Sequence, residues 1–345
     1  MDRLSTGTRC LSRRRFLQGS AALVGLGLVS GCGGAPPWAQ PPKVRRIGMP
    51  EGSDALDETQ FASFRDGLRE LGYVEGENLV IEKRFARNDP ARFPALIAEL
   101  EAAGVEVIVC GGLASCIAVK QANPPIPTVA WNPITDAVGF GLVQNIARPE
   151  GNMTGIAGIP GALFTSKQLE KLHAAVPDAG RVGVLAPANW PSLDVILQGL
   201  KDAASRLVLD LEIAIVQDPS GIESAISALS GAGARALVII PGTMFITNEV
   251  RTRIAQLTRA YRLPSGSSDT ALPRVGGLLA YSPNRTDVAY RLAWYVDKIL
   301  KGAKPADLPM ERPSKFDLII NLKTAQALGL TIPQGILAEA TEVIQ

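Results

Sequence analysis

Histidine is almost missing from this sequence: His173 is the sole example in 345 residues. Cysteine is nearly as scarce, with four, and Cys10 and Cys32 stand near the amino terminus, leaving Cys110 and Cys116 in the body of the chain. One imidazole and two thiols cannot supply the ligand set of a zinc site, so no metal is expected. No Gly-x-Ser-x-Gly turn for a nucleophilic serine and no phosphate-cradling Gly-x-x-x-x-Gly-Lys loop occurs. Gly25-Leu26-Gly27 lies close to the amino terminus and Gly231-Ala232-Gly233 follows a helical pattern, so neither has the strand-to-helix context of a dinucleotide site. His173 sits mid-helix beside Lys171, which suits surface or packing duty better than catalysis. The chain therefore reads as no enzyme, with no cofactor.

Long apolar runs are missing as well. Ala21 to Val29 is too short to cross a bilayer, which takes about 20 helical residues. It follows Arg3, Arg9 and Arg13 to Arg15, and Arg13-Arg14 ahead of Phe16-Leu17 reads as a twin-arginine export signal. Val29-Ser30-Gly31-Cys32 looks like a bacterial lipobox, which implies cleavage before Cys32 and a lipid anchor there that holds the protein to a membrane. A plain secreted form, cut near Ala39, is the other reading. We therefore take residues 1–31 as signal and 32–43 as a flexible tether, Pro-rich from Ala35 to Pro42, and expect a periplasmic protein.

Without residues 1–31, Lys+Arg falls from 35 to 30 and Asp+Glu from 33 to 32, so the net charge moves from +2 to −2. The basic character thus belongs to the signal. No basic stripe remains, and nucleic acid is not an expected partner. Cys110 and Cys116 could pair in an oxidising compartment, yet a strand-end thiol and a helix thiol need not face each other, so the pairing stays open.

What the chain does have is alternation. Short β-branched runs (Val44 to Met49, Asn78 to Phe85, Val105 to Cys110, Thr128 to Trp131) are separated by segments of helical period, such as Phe61, Phe64, Leu68 and Leu71. The pattern restarts at Ser166 and runs on to Tyr261. About 300 residues are too many for one core and comfortable for two, so the expected fold class is α/β, with two doubly wound parallel-sheet lobes. The tail holds a strand-like Gly276 to Tyr281, a helix Thr286 to Leu300 and a strand Phe316 to Asn321. It is expected to cross back and complete both lobes, leaving a multi-crossing hinge and a ligand cleft. The expected N-terminal lobe is 44–157 with 281–312, and the C-terminal lobe 158–280 with 313–345.

Two regions carry a family resemblance. The run Thr135–Val143 (TDAVGFGLV) continues into Ala147–Gly155, and the tail holds Val296–Pro309, Lys315–Ala325 (KFDLIINLKTA) and Leu328–Pro333. Together they resemble the ABC transporter substrate-binding proteins related to the tryptophan/tyrosine-binding type. The resemblance implies a type I periplasmic-binding fold with three hinge crossings. It also implies a small-molecule ligand, probed first among amino acids, and permease and ATPase subunits as partners. The same scaffold could instead present a ligand to a membrane sensor. Many relatives carry an acidic residue shortly before the paired glycines of the late strand; here Arg274 lies in that stretch, so no ligand transfers from any one relative.

In an open α/β sheet, ligands sit beyond the carboxyl ends of the strands. That rule selects Ser53 after the first strand, as a ligand contact or a helix cap. It selects Ala114 and Ser115 after Gly111-Gly112, where helix N–H groups can receive a carboxylate or where the glycines merely permit a tight turn. Trp131 and Asp136 would grip the ring and ammonium of an amino acid, or else pack and cap. Trp190, Thr243 and Asp269 follow by the same rule in the second lobe. Tyr281 would contact ligand or line the hinge.

Overall fold

Central strands that are apolar without interruption need cover on both faces, and this sequence supplies it with helices. The computed structural model describes residues 43–52, 58–87, 89–131, 137–190, 193–240, 242, 244, 245 and 247–345. Residues 1–42, with the expected export signal and Cys32, lie outside the described residues. The chain divides into two units, Met1–Lys43 and Val44–Gln345, and the architecture below is that of the second.

Its first sheet holds β1 (Arg45–Glu51), β2 (Leu79–Phe85), β3 (Val107–Gly111), β4 (Thr128–Trp131) and β5 (Met153–Ile156), in the order β2-β1-β3-β4-β5 and parallel throughout. The buried Val107–Cys110 stretch of β3 forms its middle. The helices α1 (Glu58–Glu70), α2 (Phe93–Ala102) and α3 (Leu113–Ala122) connect these strands. On one face Phe61, Phe64 and Leu68 of α1 pack with Ile47, Met49 and Val129. On the other, Phe93, Ile97 and Leu100 of α2 pack with Ile108 and Cys110.

The second sheet repeats the plan with β6 (Arg181–Pro187), β7 (Asp210–Val216), β8 (Ala236–Ile239), β9 (Ser265–Ser267) and β10 (Leu279–Pro283), extended by β11 (Phe316–Asn321) and β12 (Glu342–Ile344). Its order is β12-β11-β10-β9-β8-β6-β7, and β11 is antiparallel to β10. Counted along the chain, β7-β6-β8-β9-β10 has the same permutation as β2-β1-β3-β4-β5. Edge strand β7 alternates exposed and covered residues, as an edge should, whereas Ala236–Ile239 of β8 is buried throughout. Helices α4 (Gly161–Ala175) and α5 (Leu193–Leu207) cover one face, and α6 (Ile222–Gly231) with α7 (Asn248–Ala260) the other.

The tail does not build a third domain. From β10 the chain enters α8 (Arg285–Leu300), whose Val288, Leu292 and Val296 lie in the same core as α1, and then returns as β11 to the second sheet. The short helices α9 (Leu322–Leu328) and α10 (Gln334–Ala338) follow. The chain passes between the lobes near Ala157, Asn284 and residues 311–315. These passages are stitched together: the Ala157 N–H donates to the Glu311 carbonyl (2.8 Å), Glu311 N–H to Gly155 (3.1 Å), and Asn284 N–H to Lys315 (2.9 Å).

β10 begins three residues later than the glycine pattern suggests. Gly276 closes a turn at φ +109°, and the Gly277 Cα is pressed against Leu272, so extended pairing starts at Leu279. The open question about the two thiols also has an answer in geometry. Cys110 on β3 and Cys116 on α3 are free cysteines that face each other inside the core, with Sγ atoms 2.8 Å apart. Burial holds the Cys110 thiol well above its ordinary range.

Two outcomes follow from this packing. Gly155 of β5 sits at φ +125°, and an added Cβ would lie 2.4 Å from the Ala130 carbonyl oxygen. Backbone cannot step aside as a side chain can, so Gly155→Ala should cost at least ~3 kcal/mol of unfolding free energy in urea titration. Both core cysteines are buried out of a reagent's reach, so iodoacetamide should leave peptides containing Cys110 and Cys116 unlabelled in the native protein and label both after unfolding of a reduced sample.

Candidate functional site

The strand order places the crevice before any side chain is considered. In each sheet the chain winds one way from its first strand and then the other, so the loops leaving β1 and β3 diverge, as do those leaving β6 and β8. Between such loops the carboxyl ends of the strands lie uncovered, and a doubly wound sheet binds its ligand there.

At the first switch point three residues share one rung: Glu51 ends β1, Gly111 ends β3 and Trp131 ends β4. Gly111 leaves the rung empty in the middle, and the Glu51 carboxylate leans into that gap. An added Cβ at Gly111 would lie 2.9 Å from Oε2 and 3.0 Å from Oε1. Among the described residues, Oε1 is buried and has no hydrogen-bond partner. Burial lifts the Glu51 carboxyl to about pKa 7, partly offset by the nearby Lys83 ammonium of β2. Lys83 is itself seated over the Phe61 ring, 3.5 Å from its centroid. Trp131 is half-buried, with its ring 6.3 Å from that of Phe64.

Next to this rung, α3 begins. Gly112, at φ +81°, makes a turn that an L side chain would resist, and no side chain caps the helix. Ala114 is exposed in the first turn, where N–H groups and the positive end of the helix dipole face outward. Ser115, by contrast, is buried, and its hydroxyl donates to the Gly111 carbonyl at 2.8 Å, which fixes the turn.

The second switch point joins the loops after β6 and β8. Trp190 is half-buried there, and its ring lies 3.8 Å from the Cβ position of Gly242. Asp269, two residues past β9, is held by the protein itself: Oδ2 accepts from Arg251 Nε at 2.5 Å and Oδ1 from the Ala271 N–H at 3.0 Å. With Arg251 it lines a small recess beside Ile239, Phe245 and Leu272. Tyr281 lies in the middle of β10, not at its end. Its ring stacks on Phe316 at 5.3 Å and meets Phe164 of α4 at 6.2 Å, which is packing at the edge of the second lobe's core. Ser53, Asp136 and Thr243, like Arg13, Arg14 and Cys32, lie outside the described residues.

The structure thus brings Trp131 and Ala114 together at the first switch point, and it places Trp190 at the second. It adds Glu51, which in sequence falls in the loop after the strand expected at Val44 to Met49 and looks there like one more solvated acid. The signal was present in the sequence: a carboxylate closing a strand that is otherwise apolar from Ile47 to Pro50. Among the described residues, no group of three or more His, Cys, Asp and Glu side chains could hold a metal.

Comparison with known proteins now decides the family. The model of the ABC transporter substrate binding protein family matches residues 50–344. The chain belongs to that family. It is 22% identical over 276 residues to the tyrosine-binding protein of Clostridioides difficile strain R20291, covering 80% of this chain and 78% of that one. The ABC domain of Streptococcus pneumonia solved in complex with L-Trp matches with a TM-score of 0.75 and 25% identity, over 88% of this chain and 100% of that chain. The ligand-free, open form of a Clostridium difficile substrate binding protein with adhesive properties matches with a TM-score of 0.73 and 21% identity, over 88% and 100% of the two chains. The architecture is the type I periplasmic-binding fold, so the two switch points belong to a substrate-binding protein.

Glu51 gives the site a measurable signature. Folding raises its pKa from 4.5 to about 7, so the folded state holds the proton more tightly than the unfolded chain. Its contribution to stability is therefore largest at low pH and is lost as pH rises to about 7. Glu51→Gln removes that loss. Between about pH 5 and about pH 8 the variant should gain roughly 2–4 kcal/mol on the parent, read from urea midpoints.

Proposed function

We propose that this protein is the solute-binding subunit of an ABC importer, taking an amino acid into the space between its lobes and passing it to a membrane permease. The observation that carries this reading is the first switch point, where a half-buried tryptophan, a carboxylate and an uncapped helix start adjoin at the carboxyl edge of one sheet. These are the groups that a zwitterion with an apolar side chain calls for: an aromatic wall, an anion for its ammonium and N–H donors for its carboxylate. The likeness to a structure solved with L-Trp and to a tyrosine-binding protein supports aromatic amino acids as the first ligands to test.

Binding here is a shift of population. A solute that touches both lobes stabilises the closed arrangement, and the permease then reads that arrangement. The stitched passages at 157, 284 and 311–315 are the place for the lobes to turn. Export by the twin-arginine route, anchoring through a lipid on Cys32 and a tether over residues 32–43 would keep the subunit beside its permease and ATPase on the periplasmic side. Among the described residues, no helix is long and apolar enough to cross a membrane.

A thermal-shift screen of the soluble chain from Lys43 onward tests the ligand class. At a concentration 100 times its Kd, a ligand adds about 2.7 kcal/mol, which should raise Tm by roughly 5 °C. L-Tryptophan or L-tyrosine should produce that shift, and Trp131→Ala should abolish most of it. Stabilisation by sugars or polyamines with none from any amino acid would overturn the reading.

A further inference from the structure

Among the described residues at the first switch point, Glu51 is a carboxylate whose hydrogen bonding is incomplete. Its Oε1 is buried without a partner among the described residues, although an unpaired carboxylate oxygen is costly to bury. We propose that Glu51 is the anion that recognises the ammonium of the solute, and that taking up the solute displaces a proton from this carboxyl group. This rests on the reading of the chain as an amino-acid-binding subunit and assigns one half of the ligand to one residue.

The surroundings narrow what can complete the carboxylate. From β2, Lys83 faces it, but that ammonium sits over Phe61 and donates no hydrogen bond to Glu51 among those observed. From β3 come the bare Gly111 and, on the opposite face, the Cys110 thiol, which is held neutral and is hydrogen bonded to Cys116 of α3. From α1, Arg65 turns over the other side of the Phe61 neighbourhood, 4.9 Å from its centroid, and reaches toward Glu75. Among the described residues Lys83 acts on Glu51 through its charge alone, and no cation donates a hydrogen bond to Oε1. Gly111 admits the carboxylate to the rung, where an added methyl group would crowd it, beside the end of the strand carrying Trp131. An ammonium would match this carboxylate in charge.

Proton balance follows. With its pKa near 7 in the empty site, Glu51 is partly protonated at neutral pH. An ammonium pairs with the carboxylate and not with the acid, so binding releases the Glu51 proton to solvent while the ligand nitrogen keeps its own. Affinity for an amino acid should then rise roughly tenfold from about pH 6 to about pH 8, a range over which the ligand stays a zwitterion.

Isothermal titration checks this with six probes: L-tryptophan, L-tyrosine, their deamino analogues 3-indolepropionate and 3-(4-hydroxyphenyl)propionate, and the amines tryptamine and tyramine. The parent protein should bind the amino acids with the stated pH dependence and the deamino acids at least ~30-fold more weakly. Glu51→Gln should lose roughly 30- to 100-fold in affinity for the amino acids and show a flat pH profile. Gly111→Ala, which intrudes on the carboxylate, should lose affinity too, and supplies the test if the Gln variant fails to fold. Unchanged affinity in folded Glu51→Gln, equal binding of deamino and amino acids, or a flat profile in the parent would each overturn the assignment while leaving amino-acid binding intact. Binding of the amines with no binding of the amino acids would keep Glu51 and overturn the amino-acid reading. If none of the six bound, both would fall.

Discussion

The fold depends on one helix contact that the chain must leave its own lobe to make. Gly67 of α1 approaches α8 so closely that an added Cβ would lie 2.8 Å from the Tyr290 carbonyl oxygen and 2.9 Å from the Ala293 Cβ. Around that approach Tyr73 donates to Asp297 at 3.1 Å, and Tyr295, buried completely, donates to the Pro309 carbonyl at 2.9 Å. The core over that face of the first sheet is unfinished without α8, and α8 arrives only after the second sheet has been built as far as β10. Every passage between the lobes follows from this. A similar contact recurs between α4 and α5, where Gly199 would meet the Ala162 Cβ at 2.5 Å. Both lobes are closed by helices that touch backbone to backbone, which makes each a stiff body.

A pinned strand explains how the Glu51 carboxylate can be held unpaired. A carboxylate at the end of β1 could relax toward water or toward Lys83 if its strand were loose. Here β1 is pinned on both sides, by seven register pairs with β2 and by β3, and the Glu51 carbonyl accepts from the Ala86 N–H at 2.8 Å. The bare Gly111 then admits the side chain to the rung, while its neighbour Gly112 turns the chain into α3. Adjacent glycines thus do different work: the first provides space, the second a backbone angle.

Much of this architecture was legible in the sequence, and the reasons are physical. Parallel strands buried on both faces, such as Val107–Cys110, announce themselves as unbroken apolar runs, and α1 and α8 carry apolar residues at helical spacing. β5 and β9 were not legible as strands, because Met153–Ile156 is short and broken by Gly155, and Ser265–Ser267 is short and has no β-branched residue; they pair because their neighbours impose it. The rule about carboxyl ends selects one edge of each sheet, and Trp131, Ala114 and Trp190 lie along those edges. It could not tell which polar groups are already satisfied. Asp269 and Ser115 look available in sequence, yet one is locked to Arg251 and the other to a helix turn. Glu51 looks like an ordinary surface acid and is left without a partner. Satisfaction is a property of three-dimensional surroundings, and a loop rule carries no information about it.

That distinction also bears on why such a residue persists. Lifting a carboxyl from 4.5 to about 7 costs the folded protein roughly 3 kcal/mol above neutral pH, a sizeable share of the 5–15 kcal/mol that holds most domains together. An aliphatic or amide side chain there would be the more stable choice, and nothing in the packing around Gly111 demands an acid. A destabilising group kept at a switch point is most simply understood as held for what it meets there. An ion pair formed there on binding, as proposed above, would recover in affinity what the unpaired carboxyl gives up in stability.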